Sequence, residues 1–197
     1  MKVIGVTGGV GSGKSSLLKR IGEEYSCVIL YADDAAKEIE KPGRKCYDEL
    51  VSLLGKEILD EEGQIHKGKM SARIFGDDDL REKVNNIIHP GVREYILARI
   101  REEKEAGKVD WFFLEAALLI ECGYLAVVDE MWYIHADRKV RRERLKKGRG
   151  YTDEKIDAIM NSQLGEEEFR HNCHFTVDNS GTLEEAMSQV RAHLGTE

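Results

Sequence analysis

Between Thr7 and Ser16 the chain reads TGGVGSGKSS, glycines and hydroxyl side chains gathered around one lysine, Lys14. Gly8, four further residues, then Gly13, Lys14 and Ser15 satisfy GxxxxGK followed by Ser or Thr. The run stands between an apolar, strand-like stretch, Lys2 to Val6, and a helix-like one opening at Lys14, which is the context a P-loop requires. A backbone rich in glycine (Gly8, Gly9, Gly11, Gly13) can curl tightly and turn its N–H groups, with those of Ser12, Ser15 and Ser16, toward one anion at a helix N-terminus. Lys14 would neutralise charge on the β- and γ-phosphates of a nucleoside triphosphate, and the Ser15 hydroxyl would bind Mg²⁺. A turn that only reverses the chain has no use for a lysine and serines at these positions. A dinucleotide loop would read GxGxxG, which is absent.

Phosphoryl transfer to a hydroxyl also needs an acceptor for the hydroxyl proton and cations for the developing charge. CVILY is followed by Ala32, Asp33 and Asp34, so Asp33 would project from the carboxyl edge of a second strand, beside the P-loop if strands one and two share a half of the sheet. It can serve as base or as N-cap of a helix Asp34 to Glu40, and its position alone leaves both roles open. Residues 137–149, DRKVRRERLKKGR, hold eight basic and two acidic residues, either a solvated helix face or an anion clamp. His171, Cys173 and His174 in HNCH have the chemistry of metal ligands, but the spacing matches no standard site and no second ligand pair accompanies them.

The elements that must carry these groups follow from hydrophobic patterning. KVIGV, CVILY, VDWFFL, EMWYIH and HFTVD read as strands, and their continuous apolar character suits a parallel sheet covered on both faces. Lys14 to Glu24 reads as a helix with Leu17, Leu18 and Ile21 on one face; Val84 to Lys104 reads as two helical stretches broken at His89 and Pro90. Thr182 and Glu185 form a capping box for a last helix containing Ala186, Met187 and Val190. The expected fold is α/β, a P-loop three-layer sandwich with a five-stranded parallel sheet, in one kinase domain. Its core is 1–32, 108–137 and 172–197, with a helical acceptor-binding insertion at about 33–107 over the sheet's carboxyl edge, where ligands bind in open α/β sheets, and a helical lid at about 138–171.

Bulk properties narrow the class. The 197 residues suffice for one substantial core, and 41% hydrophobic with 34% charged residues describes a globular chain. A net charge of −7 disfavours broad nucleic-acid binding, and no apolar run is long enough to span a membrane. Gly5, Gly8 and Gly9 interrupt the N-terminal apolar stretch, so a signal peptide is not expected and the cytoplasm is the default. Cys27, Cys46, Cys122 and Cys173 form no CxxC pair and are expected to be reduced. There is no NKxD guanine motif, and VDWFFLE ends in Glu115 where a motor or helicase strand would end in Asp. A small size, a helical insertion and a late arginine-rich stretch fit a small-molecule kinase whose lid closes over ATP and excludes water.

Taken in order, IGVTGGVGSGKSS, ADDAAKEIEKPG, ARIF (Ala72 to Phe75), IIHP (Ile87 to Pro90), ALLIE (Ala117 to Glu121), the pair Ser162 and Gln163, and VDNSG (Val177 to Gly181) resemble the dephospho-CoA kinase family over nearly the whole chain. The resemblance implies transfer of the ATP γ-phosphate to the ribose 3′-hydroxyl of dephospho-CoA. It implies that Asp33 is the catalytic aspartate, that Thr7, Gly8, Phe75 and His89 line the acceptor pocket, and that Arg141 and Arg144 grip phosphates from the lid, with Arg149 a weaker candidate. Asn179 would lie near adenine. Three departures stand out: Tyr31 where the family has Asp, Glu115 for Asp with Ala117 for Pro, and an extra lid residue around Gly148. The alternatives are another small P-loop kinase acting on a nucleoside or nucleotide, and a nucleotide-dependent binding module. Oligomeric state is not indicated.

Overall fold

The five apolar runs become strands β1 (Lys2–Thr7), β2 (Cys27–Tyr31), β3 (Trp111–Glu115), β4 (Glu130–His135) and β5 (Phe175–Asp178) in a computed structural model that describes residues 1–195. Positions 196 and 197 of the expected core segment 172–197 lie outside the described residues. The strands form one parallel sheet in the order β2-β3-β1-β4-β5. β1 therefore has β3 on one side and β4 on the other, with Val6 opposite Glu115 and Thr7 opposite Tyr133. The chain leaves β1 at the point where strand order diverges, which is where open α/β sheets place their ligands. β2 is at the sheet's edge, separated from β1 by β3.

The helices are α1 (Lys14–Glu24), α2 (Ala32–Ile39), α3 (Lys45–Leu54), α4 (Lys67–Ile74), α5 (Asp78–Ala106), α6 (Arg138–Arg149), α7 (Asp153–Asn161), α8 (Glu166–Asn172) and α9 (Leu183–Leu194). Chain contacts group into two units, one made of residues 1–29 with the chain from 106 onward and the other of residues 30–105. None of the helices of the described residues is long and apolar enough to cross a membrane.

In the first unit, β1, β3 and β4 are buried almost throughout, as sheet strands covered on both faces must be. Trp132 of β4 is fully buried and meets Phe113 and Phe175 edge-on, with centroids 5.7 and 5.1 Å away. Its indole N–H donates to Glu130 at 2.8 Å, and the same carboxylate binds Lys2 at 2.5 Å and His193 of α9 at 2.9 Å. Burial alone would push Glu130 up, but these three partners outweigh it and hold the carboxyl at about 2. α9 opens on the expected capping box, with Glu185 N–H donating to the Thr182 hydroxyl and Thr182 N–H to the Glu185 carboxylate. Arg191 in its last turn then forks onto Glu24 of α1 with two bonds of 2.9 Å.

Beyond the last two residues of β2, the regular elements of the second unit are helices, with one isolated antiparallel bridge, Leu59 to Ile65. Its core gathers Leu50 and Leu54 of α3, Ile58 of a short 3₁₀ turn and Val84 of α5, covered by Ile74, Leu80, Ile87 and Ile88. Here the structure corrects the expected break at His89–Pro90, because α5 runs unbroken from Asp78 to Ala106 through Pro90. Proline inside a helix costs roughly 3 kcal/mol. Burial of Val84 before it and of Ile96 and Ile100 after it, each worth about 1.5–3 kcal/mol, offsets that cost. Gly91, one residue further, lets α5 approach α2 and α3 closely: a Cβ there would stand 2.3 Å from Cys46 Sγ and 3.1 Å from Ile39 Cδ1.

Candidate active site

The loop after β1 takes the form its glycines permit. Gly13 is the N-cap of α1 with φ of 90°, and helical bonding begins where Leu17 N–H donates to Gly13 O at 3.1 Å. The amides of Lys14, Ser15 and Ser16 thus precede the first helical bond and form the positive end of the helix. Ser15 and Ser16 are exposed, whereas Ser12 is buried with its hydroxyl lacking a partner. Thr7 and Gly8 are also buried. The Thr7 hydroxyl donates to Ala117 O at 3.3 Å, and Gly8 O accepts from the Lys14 ammonium at 2.7 Å.

Lys14 is 9% exposed, and its ammonium also stands 3.7 Å from Glu115 Oε1 at the end of β3. Burial pushes the lysine below its ordinary value, Glu115 opposes that shift, and the guanidinium of Arg141 adds to it. A confined cation with one carboxylate in attendance is poised to accept a polyanion.

Two arginines on one face of α6 close against this loop. Arg141 donates through Nε to Val10 O at 2.9 Å and through Nη2 to Gln163 Oε1 at 2.8 Å. Its guanidinium lies so near Gly9 that a Cβ there would come within 2.3 Å of Nη2. Arg144 donates to Ser12 O at 3.2 Å and to Asn179 O at 2.8 Å. Asn179, just past β5 and 4% exposed, donates its side-chain N–H to Ser12 O at 2.7 Å and its backbone N–H to His135 O at 2.8 Å. Lys14, Arg141, Arg144 and Asn179 are thereby collected around residues 8–15. Arg149 is exposed at the end of α6, its guanidinium 5.9 Å from the Tyr151 ring centroid. A cavity of about 350 Å³ opens on the other flank of Arg141, between β4 and the segment joining α7 to α8, where Tyr133, His135 and Glu166 line it.

The remaining site candidates belong to the second unit. Asp33 occupies the first turn of α2 and is exposed; the N-cap is Tyr31, without a side-chain capping bond. The capping role open to Asp33 in the sequence is thus not the one it has in the fold. The helix also begins at Ala32, ahead of the expected Asp34. Its neighbour Asp34 pairs with Lys37 at 2.5 Å. Phe75 ends α4 and is 90% exposed, and His89 is exposed on α5.

The HNCH cluster has other employment. His174 Nδ1 accepts from Met131 N–H at 2.9 Å while the His174 backbone N–H donates to Met131 O at 2.8 Å. Burial pushes the Cys173 thiol up to about 12, away from the thiolate a metal would need. Among the described residues no group of three or more His, Cys, Asp or Glu is placed to hold a metal ion.

Sequence reasoning picked out Gln163 only within a family motif and assigned it no role in the site. Nothing in its spacing marks it, because its two bonds reach residues 153 and 22 positions away. Glu115 was noticed as the end of a strand, but its pairing with Lys14 depends on β3 being the neighbour of β1.

A protein-family model described as dephospho-CoA kinase matches residues 2–185. A dephospho-CoA kinase of Carboxydothermus hydrogenoformans is 33% identical over 96% of this chain and 91% of its own length. One from Listeria innocua is 34% identical over 96% of this chain and 94% of its own. The solved structure of TT1252 from Thermus thermophilus superposes with a TM-score of 0.77 at 26% identity, covering 98% of this chain and 96% of that one. The shikimate kinase of Acinetobacter baumannii, at 12% identity and a TM-score of 0.54 over 100% of this chain and 95% of its own, shares the fold.

Proposed function

The chain belongs to the dephospho-CoA kinase family, and from that premise we propose that it transfers the γ-phosphate of ATP to the ribose 3′-hydroxyl of dephospho-CoA, giving coenzyme A and ADP. The observation that carries this reading is the family match over residues 2–185 on a chain whose phosphate loop holds a buried Lys14 with two arginines of α6 seated on the loop's carbonyls.

The residues divide the work as follows. The amides at the start of α1 and the Lys14 ammonium bind the triphosphate, with Gly9, Gly11, Ser12, Gly13, Ser15 and Ser16 forming the cradle. On ATP binding Lys14 exchanges Gly8 O and Glu115 for phosphate oxygens. Arg144 exchanges loop carbonyls for phosphate charge that grows in the transition state, and Arg141 meets the same charge with the donors it does not spend on Val10 O and Gln163. Asn179 borders the adenine, and Asp33 accepts the proton of the attacking hydroxyl. Thr7, Gly8, Phe75 and His89 are assigned to the acceptor, Thr7 and Gly8 through the shape of the loop, given their burial.

Magnesium suits the donor set. Ser15 presents an exposed hydroxyl at the positive helix end, and a hard cation prefers such oxygen ligands together with phosphate oxygens. When bound it neutralises β- and γ-phosphate charge. ATP and dephospho-CoA are the partners assigned, with neither nucleic acid nor membrane among them, and the cytoplasm is the proposed location.

Purified protein with Mg²⁺, ATP and dephospho-CoA should release ADP in step with coenzyme A. In a panel of nucleosides and nucleotides at equal concentration, dephospho-CoA should give the highest kcat/KM. ATP turnover indifferent to dephospho-CoA would overturn the reading.

A further inference from the structure

We propose that Gln163 is a positioning residue for phosphoryl transfer, one amide oxygen that aims Arg141 at the triphosphate and fixes the tip of the phosphate loop. The inference rests on the kinase reading above and adds to it a residue that touches no substrate.

Gln163 Oε1 accepts two bonds, from Val10 N–H at 3.1 Å and from Arg141 Nη2 at 2.8 Å. Arg141 Nε donates in turn to Val10 O at 2.9 Å, so Val10, Gln163 and Arg141 close a ring of three bonds. The Val10 side chain completes the grip by packing against the cluster of Leu145 of α6 with Ile156 and Met160 of α7, which Tyr151 also covers. Both backbone polar groups of the loop's tip residue, and its side chain, are therefore held by elements of the 138–171 segment.

This arrangement decides what Arg141 can do. A guanidinium has five N–H donors in a rigid plane. Anchoring one on Val10 O and one on Gln163 leaves three, with the plane fixed against the flat surface that Gly9 provides. Donors already aimed when charge develops need no reorganisation, and that is the main source of their catalytic value. If the Gln163 acceptor is lost, the guanidinium keeps a single anchor and can turn about it, and the half-buried Val10 amide loses its partner. Gln163 is placed for this role by the end of α7, whose C-cap is Ser162. The bonds of Gln163 and the apolar packing of Ile156 and Met160 thus act on the same loop residue.

The test is a double-mutant cycle in the dephospho-CoA-dependent assay. Gln163→Met keeps length and flexibility while removing the amide oxygen. It should lower kcat about tenfold, with the KM for ATP changed less than about twofold. In an Arg141→Ala background the same change should cost less than about twofold, because its target is already gone. Equal losses in both backgrounds, or an unchanged kcat in the single variant, would overturn the proposal. Should Gln163→Met not fold, Gln163→Glu, whose carboxylate can accept from the same two donors, must keep kcat within about threefold, and a tenfold loss there counts against it equally. Failure of the kinase reading would appear first and separately, as wild-type protein that does not phosphorylate dephospho-CoA.

Discussion

The Lys14 ammonium is suspended between Gly8 O at 2.7 Å and Glu115 Oε1 at 3.7 Å, so the lysine of the phosphate loop is internally paired. On the proposed reading, a triphosphate displaces this arrangement and offers Lys14 more charge than one carboxylate can. Glu115→Gln should therefore destabilise the protein by about 1–2 kcal/mol, below the 3–5 kcal/mol of a fully buried pair because the contact is long and partly solvated. ADP without Mg²⁺ should restore more stability to the variant than to the wild type, since phosphate replaces the missing charge. Thermal unfolding with and without ADP checks both; an equal ADP-induced rise in Tm would show that Glu115 does not compete for Lys14.

Asp33 is exposed in the first turn of α2 and makes no capping bond. Asp33→Asn should leave Tm almost unchanged while lowering kcat by on the order of 10²-fold or more, the usual cost of losing a general base. Steady-state ADP release alongside a melting curve separates the two effects. A near-normal kcat would remove Asp33 from the proposed mechanism.

Arg144 spends its guanidinium on Ser12 O and Asn179 O. Arg144→Ala should lower kcat more than tenfold while changing the Kd for ATP less than about threefold, the pattern of a contact made mainly in the transition state. Equal losses in kcat/KM and in ATP affinity would instead mark Arg144 as a ground-state binding residue.

Glu130 supplies a pH dependence with a definite sign. Its folded-state value of about 2 lies below the ordinary 4.5, so its contribution is fully present above about pH 5 and is lost as pH falls through 4.5 toward 2. Chemical denaturation should show Glu130→Gln to be less stable than wild type by about 2 kcal/mol at neutral pH, the difference shrinking toward pH 2. A difference independent of pH would mean that packing, not charge, explains the loss.

Gly91→Ala would gain about 1 kcal/mol of helix propensity. It would also drive a Cβ to within 2.3 Å of Cys46 Sγ, and we expect a net loss of about 1–3 kcal/mol from overpacking. Cys46→Ala removes the obstructing sulfur, so the double variant should recover stability relative to Gly91→Ala. Additive losses would exclude the contact as the cause.

Much of this was legible in the sequence because it is local. The run Gly8 to Ser15 dictates a phosphate loop wherever a strand precedes it and a helix follows, and Leu17, Leu18 and Ile21 mark the buried face of that helix by their spacing. Thr182 and Glu185 announced their capping box because both partners lie within one turn. Pro90 misled for the same reason, since the local preference to break a helix is real but smaller than the burial of Val84, Ile96 and Ile100 around it.

What only the tertiary structure decided is which distant groups share the loop. Placing β3 beside β1 puts Glu115 within reach of Lys14, 101 positions earlier in the chain. The close of α7 brings the Gln163 oxygen to Val10, and the turn after β5 brings Asn179 to Ser12. Sequence periodicity carries information about neighbours one or two turns away. Strand order and helix packing are set by the simultaneous burial of many faces, and the pairings that tune Lys14 and Arg141 exist only once that burial is complete.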